Sequence, residues 1–236
     1  ILVMATGMFD FPVMPEISGL KQSTQSSMQI IHAKDWQGSE NLNGPKVLIV
    51  GGGTSAVEIA ENCVRAGLKP TLSARNPKIK TLPQTFLWHD LHDYFYFLEK
   101  LPRWLGKSYC ADQNTLPATD LGFKNFSKNG LIDIKPEIDH VDQNRVYFAN
   151  GDSTTFDTII FATGYHYGRP QLSFTLKTWP KSEIPMTRAD GESVDCPNLY
   201  WIGIPCALRL NSAFLRGMAH DAPVMARTIQ RNIQFI

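Results

Sequence analysis

Cysteine is scarce and scattered in this chain. Cys63, Cys110, Cys196 and Cys206 are its only four, and no two stand in the Cys-x-x-Cys spacing of a redox dithiol or a zinc knuckle. They read as buried or idle thiols in a reducing compartment, which points to the cytoplasm. Long apolar runs are also missing: none approaches the ~20 residues that span a bilayer, so no integral membrane segment is expected. No basic n-region and small-residue cleavage site opens the chain as a secretory signal does. Nor is there an excess of one charge. The formal net charge is +1, which supplies no global field for nucleic acid or anionic lipid. No basic stripe interleaved with aromatics marks a nucleic-acid surface either. The first residue is Ile1 rather than methionine, so the chain reads as starting inside a longer polypeptide.

What is present is a glycine-rich turn in a specific setting. Val47–Val50 is an apolar strand, and Gly51-Gly52-Gly53-Thr54-Ser55-Ala56 follows it in the pattern G-x-G-x-x-G/A. A helix comes next, with Val57, Ile59, Ala60, Cys63 and Val64 on one face and Gly67 placed to stop it. The chemistry needs these residue types. Gly51 makes a turn that a side chain obstructs, Gly53 lets the backbone approach a pyrophosphate, and Ala56 keeps helix and strand close. The helix N-terminus aims unpaired N–H groups at the phosphate charge. The next strand, read over 70–74, selects the cofactor. An NAD site places Asp or Glu there to take the ribose hydroxyls. This strand ends Leu72-Ser73-Ala74-Arg75 without a carboxylate. A guanidinium pairs bidentately with a 2′-phosphate, Ser73 is a further donor, and Lys78 and Lys80 add positive potential. The spacing therefore points to NADP.

The cradle is bracketed by two near-copies of one strand end, LVMATGMFDFP from Leu2 and IIFATGYHYGRP from Ile159. Gly7 and Gly164 are about one compact domain apart. That suggests one nucleotide-binding domain inserted in another by paired linkers. Residues 1–7 read as a buried strand, and the stretch from Met8 to Asn43 has loop chemistry. An aromatic-rich stretch from Leu82 to Tyr109 reads as a helical insert broken near Pro102. Within it His89 and His92 have helical spacing but no third metal ligand. Three strands are expected over 131–138, 145–149 and 155–162, with a hairpin at Asn150-Gly151. A buried strand over 199–204 and an amphipathic helix over 212–230 close the chain. His220-Asp221 in that helix lacks a nearby nucleophile motif and reads as a polar face.

Taken in order, these residues resemble the flavin-containing monooxygenase superfamily, including bacterial relatives of the plant indole-3-pyruvate monooxygenases. The resemblance rests on the first Ala-Thr-Gly and its proline-rich loop, His32, the GGGTSA cradle with Arg75, DTIIFATGY from Asp157, and NLYWIGI from Asn198. It implies an α/β, two-dinucleotide-binding-domain flavoprotein, with a Rossmann-like NADP domain (43–165) inserted in an incomplete FAD domain (1–42 and 166–236). NADPH would reduce FAD, and one atom of O₂ would pass to a small organic substrate. The cofactor supplies that reactivity, so no catalytic side chain and no metal is expected. By the same resemblance, Gly51, Gly53, Thr54, Ser55 and Ala56 take the NADP pyrophosphate, and Ser73 and Arg75 its 2′-phosphate. Thr163 and Gly164 lie near the same nucleotide at the domain junction. Thr6 and Gly7 line the adenosine side of FAD. The helix entrance Ala213-Phe214-Leu215 offers backbone N–H groups to the flavin ring.

Two departures from the family pattern stand out. The linker motif F-x-G-x-x-x-H keeps His32 and Asp35, but Ser26 and Met28 replace its Phe and Gly. That leaves the subfamily open, and His32 reads more readily as a structural hydrogen-bonder. The first glycine fingerprint, for FAD, has no counterpart here, so the chain as written is expected to bind flavin poorly and to be inactive alone. The alternatives are an NADPH-dependent flavin reductase without oxygen transfer and a non-enzymatic NADP-binding remnant. Substrate identity and homo-oligomeric state stay open.

Overall fold

The computed structural model describes the chain except residues 8, 10, 24–26, 87–88, 91–116, 167–171, 173, 179–183 and 235–236. Its contacts divide into two compact units. One draws on Pro12–Leu87 and Leu116–Gly164, the other on Ile1–Phe11 and Tyr165–Ile236.

The first unit is built on a five-stranded sheet. In chain order its strands are β1 (Gln29–His32), β2 (Val47–Val50), β3 (Thr71–Ser73), β4 (Asp133–Lys135) and β5 (Thr158–Phe161). They lie in the order β4-β3-β2-β5-β1, and every pairing is parallel. Parallel strands are covered on both faces and so carry continuous apolar runs. Val47, Leu48 and Ile49 are buried, and so are all four residues of β5. The chain runs outward from β2 through β3 to β4, then returns to insert β5 on the other side of β2. The order therefore reverses between β2 and β5.

Helix α1 (Thr54–Arg65) makes the crossover from β2 to β3. Ala56, Val57, Ile59, Ala60 and Cys63 bury its inner face against the sheet, and burial pushes the Cys63 thiol up to about 11, leaving it unreactive at neutral pH. The helix ends in a Schellman motif: Leu68 N–H bonds Cys63 O at 3.0 Å and Gly67 N–H bonds Val64 O at 2.9 Å. Gly67, at φ +83°, supplies the left-handed residue this stop requires.

Three local readings need correction. The expected strand over 131–138 is two pieces. Pro136, which has no N–H to give a ladder, separates β4 from Ile138–Asp142. The expected strand over 155–162 is also split. Ser153–Thr155 closes an antiparallel meander with Ile138–Asp142 and Arg145–Phe148, and only Thr158–Phe161 enters the parallel sheet. The Asn150-Gly151 turn is where it was expected, with Gly151 at φ +87° and its N–H on Phe148 O. Finally, the start of the expected helical insert is extended: Thr81–Pro83 pairs in parallel with Ala118–Asp120. Thr85–Phe86 and His89–Asp90 are extended too and pair with each other, so His89 stands in a strand and not in the helix expected. Residues 87–88 and the insert from 91 on, His92 included, lie outside the described residues.

β1 was hidden in the stretch read as loop. Gln29–His32 has only partly buried residues before His32, because an edge strand covers one side of its neighbour and leaves its own rim open. A buried carboxylate secures the far side of α1. Glu61, 0% exposed, accepts the N–H groups of Leu121 and Phe123 at 2.9 Å each. Its neighbour one turn on, Arg65, donates to Leu121 O at 2.8 Å. Glu61 thereby caps α2 (Phe123–Lys128).

The second unit pairs Leu2–Met4 with Leu199–Trp201 in parallel. Met4 is buried, but Leu2 and Val3 are 51% and 42% exposed, so the first strand is not the buried one expected. Met4, Tyr200, Trp201, Ile204 and Leu208 pack with Met225 from α3 (Leu215–Gln234). Cys63 and Cys196 are free, whereas Cys206 is disulfide-bonded and so is not the idle thiol expected. Among the described residues no helix is long and apolar enough to cross a membrane.

Candidate functional site

The reversal of strand order between β2 and β5 opens a crevice at the C-terminal ends of the two strands, where ligands of open α/β sheets bind. One wall is Gly51–Gly53 and the start of α1, and the other is Ala162–Gly164. The two walls touch. Ala162 N–H bonds Val50 O at 2.8 Å, and a Cβ on Gly51 would collide with the Ala162 carbonyl oxygen. Gly51 also sits at φ +140°, a conformation that L side chains rarely adopt. Its N–H is held by Ser73 O at 2.8 Å.

Gly53 differs in kind. Its backbone is extended, and no atom lies within 4 Å of where a Cβ would stand. It is the N-cap of α1 and has no side chain to satisfy the first N–H groups of the helix. Thr54 and Ser55 are exposed, Ala56 is fully buried, and no acidic residue occupies the first turn. Unfilled N–H donors, the positive end of the helix dipole and open space above a glycine together make a surface able to accept an anion.

At the end of β3 the two expected phosphate ligands part. Ser73 is 1% exposed and donates its hydroxyl to Pro136 O at 2.7 Å, so that hydrogen is committed inside the fold. Arg75, two residues on, is exposed, and no partner engages its guanidinium among the described residues. Lys78 and Lys80 are exposed as well. The positive charge beyond β3 is therefore available to an anion.

The opposite wall is tied down. Thr163 donates its hydroxyl to Val13 O, and Val13 N–H bonds Gly164 O at 2.9 Å. His32, 4% exposed, lies beside the same exit in register with Phe161. Its Nδ1 accepts Lys34 N–H at 3.1 Å, which leaves the ring proton on Nε2. Burial lowers the His32 pKa, while its contact with the Gly164 backbone and the charge of Asp35 oppose that shift. His32 caps the short turn Ala33–Asp35 and stands beside Phe161, directly before the Ala162–Gly164 wall.

In the second unit, Thr6 is exposed and Gly7, at φ +70°, has open space where a Cβ would stand. At the entrance of α3, Phe214 is 39% and Leu215 84% exposed. The Phe214 N–H is taken by Asn211 O at 2.9 Å, and Arg216 lies 4.7 Å over the Phe214 ring. Asp221 is not the polar face expected, because it is 0% exposed. Sequence reasoning passed over the role of Glu61 too, although a carboxylate four residues after Val57, on the apolar face of α1, was a visible signal.

Comparison with known proteins adds to this geometry. The sequence family described as "Pyridine nucleotide-disulphide oxidoreductase" matches residues 1–89. "Probable indole-3-pyruvate monooxygenase YUCCA1" of Arabidopsis thaliana is 29% identical, across 97% of this chain and 60% of that protein. YUCCA8 of the same plant, named with the same activity, is 26% identical across 80% of this chain and 50% of its own length. The chain thus spans about half to three fifths of these curated relatives. Among solved structures, "Flavin-containing monooxygenase from Stenotrophomonas maltophilia" superposes with a TM-score of 0.69 at 17% identity, over 99% of this chain and 62% of that one. That likeness is one of fold.

Proposed function

We infer that this chain is a member of the flavin-containing monooxygenase superfamily, to whose named members it is similar, and that it is the NADPH-binding portion and part of the FAD-binding portion of an oxidoreductase. The fold is the two-dinucleotide-binding-domain α/β arrangement of flavin monooxygenases. The reading extends to residues 43–165 as the NADP domain and to a small organic substrate that receives an oxygen atom. A cytoplasmic setting belongs to the same proposal. The Cys206 disulfide is the observation that opposes it, and a free-thiol count on protein taken directly from cells decides the matter.

The observation that carries the reading is the crevice at the strand-order reversal. Gly51 is held against Ala162, Gly53 lies open at an uncapped helix end, and Arg75 projects beyond β3 without an acidic partner. These residues fit a dinucleotide with a 2′-phosphate. The α1 N-terminus binds the pyrophosphate through unpaired N–H groups. Arg75, with Lys78 and Lys80, takes the third phosphate. With Ser73 committed to Pro136, the 2′-phosphate preference rests on these cations. His32 and Thr163 hold the opposite wall rather than move a proton. In the second unit, the exposed Phe214 and Leu215 at a helix N-terminus suit a flat, largely apolar ring with acceptor atoms on one edge. When bound, flavin supplies hydride acceptance and oxygen activation.

The test is the nucleotide preference. NADPH and NADH are titrated against the unmodified protein and Arg75→Ala, with nicotinamide fluorescence as the readout. A charge-assisted hydrogen bond contributes roughly 1.5–3 kcal/mol, so the variant loses about tenfold to 150-fold in NADPH affinity at constant NADH affinity. Equal affinities for the two nucleotides in the unmodified protein would sink the assignment of Arg75.

A further inference from the structure

The connection between the strand Leu199–Trp201 and α3 is buried, which is rare for a loop. Gly203 through Leu208, then Asn211 and Ser212, are all buried. A loop in that position needs internal partners for backbone groups that water cannot reach. The Ser212 hydroxyl oxygen accepts the N–H groups of Leu208 at 3.0 Å and Arg209 at 2.8 Å. The Thr187 hydroxyl donates to Ala207 O. Two accepted bonds use both lone pairs of Ser212 Oγ and leave its O–H to donate.

The group facing that O–H is Asp221, on the second turn of α3. Burial raises the Asp221 pKa, while Ser212, Arg209 and His220 pull it back. Arg209 Nε stands 3.8 Å from Oδ1, and neither carboxylate oxygen reaches full hydrogen-bond geometry. Ser212 and Arg209 therefore hold the carboxylate by loose contacts. One turn earlier on α3, Gly217 lies against the Asn211 carbonyl so closely that a Cβ would overlap it. The Oδ1 atom of Asn211 is itself buried without a hydrogen-bond partner. The loop thus packs tightly on the first turn of α3 at Gly217, and the Asp221 carboxylate faces it one turn further on.

A buried, poorly satisfied carboxylate is a poor stabiliser, and an apolar residue of similar size commonly serves stability as well or better. Its place is informative instead: it lies beside Arg209, which belongs to the segment Leu208–Ser212 leading into the α3 entrance, where Phe214 and Leu215 are exposed. We propose that Asp221 is a positioning residue for the flavin: through Ser212 and Arg209 it sets the α3 entrance against which the isoalloxazine ring rests. The proposal rests on the flavin reading above.

The experiment uses the full-length polypeptide that carries these residues, as the unmodified protein, Asp221→Leu and Asp221→Asn. FAD is titrated by fluorescence quenching, the absorption band shape of the bound flavin is recorded, and melting temperature serves as the control for folding. Asp221→Leu is expected to melt no lower than the parent, to raise the Kd for FAD at least tenfold and to change the flavin band shape. Asp221→Asn, which keeps an acceptor for Ser212 but removes the charge facing Arg209, is expected to fall between the two. Should Asp221→Leu not fold, Asp221→Asn decides, and parental affinity and band shape in it overturn the proposal. If both variants fold and bind FAD as the parent does, the positioning role is overturned while the flavin reading stands. An unmodified protein that takes up no FAD overturns the flavin reading and the proposal with it.

Discussion

Two glycines two residues apart should respond to the same substitution in opposite ways. Gly51→Ala places a methyl group into the Ala162 carbonyl, whose carbon would be only 3.0 Å away, at a residue with φ +140°. Forcing a side chain into that backbone region costs about 1–3 kcal/mol, and overpacking against a rigid strand end adds about 1–3 kcal/mol. The expected destabilisation is therefore roughly 2–6 kcal/mol, a large fraction of a typical domain stability of about 5–15 kcal/mol. Gly53→Ala meets nothing within 4 Å, and its extended backbone tolerates any residue. It should leave stability within ~1 kcal/mol of the parent, because the poorer N-cap preference of alanine offsets the gain from restricting the unfolded chain. Its methyl group stands instead in the space assigned to the pyrophosphate, so NADPH affinity should fall at least tenfold, about 1.4 kcal/mol. Urea unfolding supplies the first quantity from the midpoint at constant m-value, and nucleotide titration supplies the second. A Gly51→Ala protein within ~0.5 kcal/mol of the parent would refute the close-approach argument. Parental NADPH affinity in Gly53→Ala would remove the cradle from the ligand.

Glu61→Ala leaves the Leu121 and Phe123 N–H groups without an acceptor. At about 1–3 kcal/mol for each stranded donor, a loss of roughly 2–6 kcal/mol is expected, whereas Glu61→Gln keeps the acceptor and should lose far less. Equal urea midpoints for the two variants would mean that Glu61 does not cap α2. His32 gives a pH test with a definite sign. Its folded pKa lies below the unfolded value near 6.5, so the unfolded chain binds the proton more readily. The contribution is present above that pH and disappears as pH falls through 6.5 toward the folded value. Comparing urea midpoints at pH 7.5 and 5.5, the parent should lose more stability on acidification than His32→Asn, which can keep an acceptor for Lys34 N–H. Identical slopes would show that His32 titrates alike in both states.

What sequence alone determined lies in short-range chemistry. The strand-glycine-helix order from Val47 to Arg65, the stop at Gly67, the Asn150-Gly151 turn and the absence of a carboxylate after β3 each depend on neighbours within a few residues. Local propensity and φ preference settle such features before any folding. The resemblance to flavin monooxygenases rested on the same local motifs, set in order along the chain. Features joining distant residues could not be read that way. Gln29–His32 carries no strong strand pattern, and only its place beside Thr158–Phe161 makes it the edge of the sheet. Ser73 and Arg75 are equally plausible phosphate ligands in one dimension. Pro136, more than sixty residues away, takes the Ser73 hydroxyl and leaves the arginine in solvent. Asp221 reads as the polar side of an amphipathic helix until the loop before that helix folds under it. Side-chain burial is set by what the rest of the chain places above a residue, and that is a tertiary quantity.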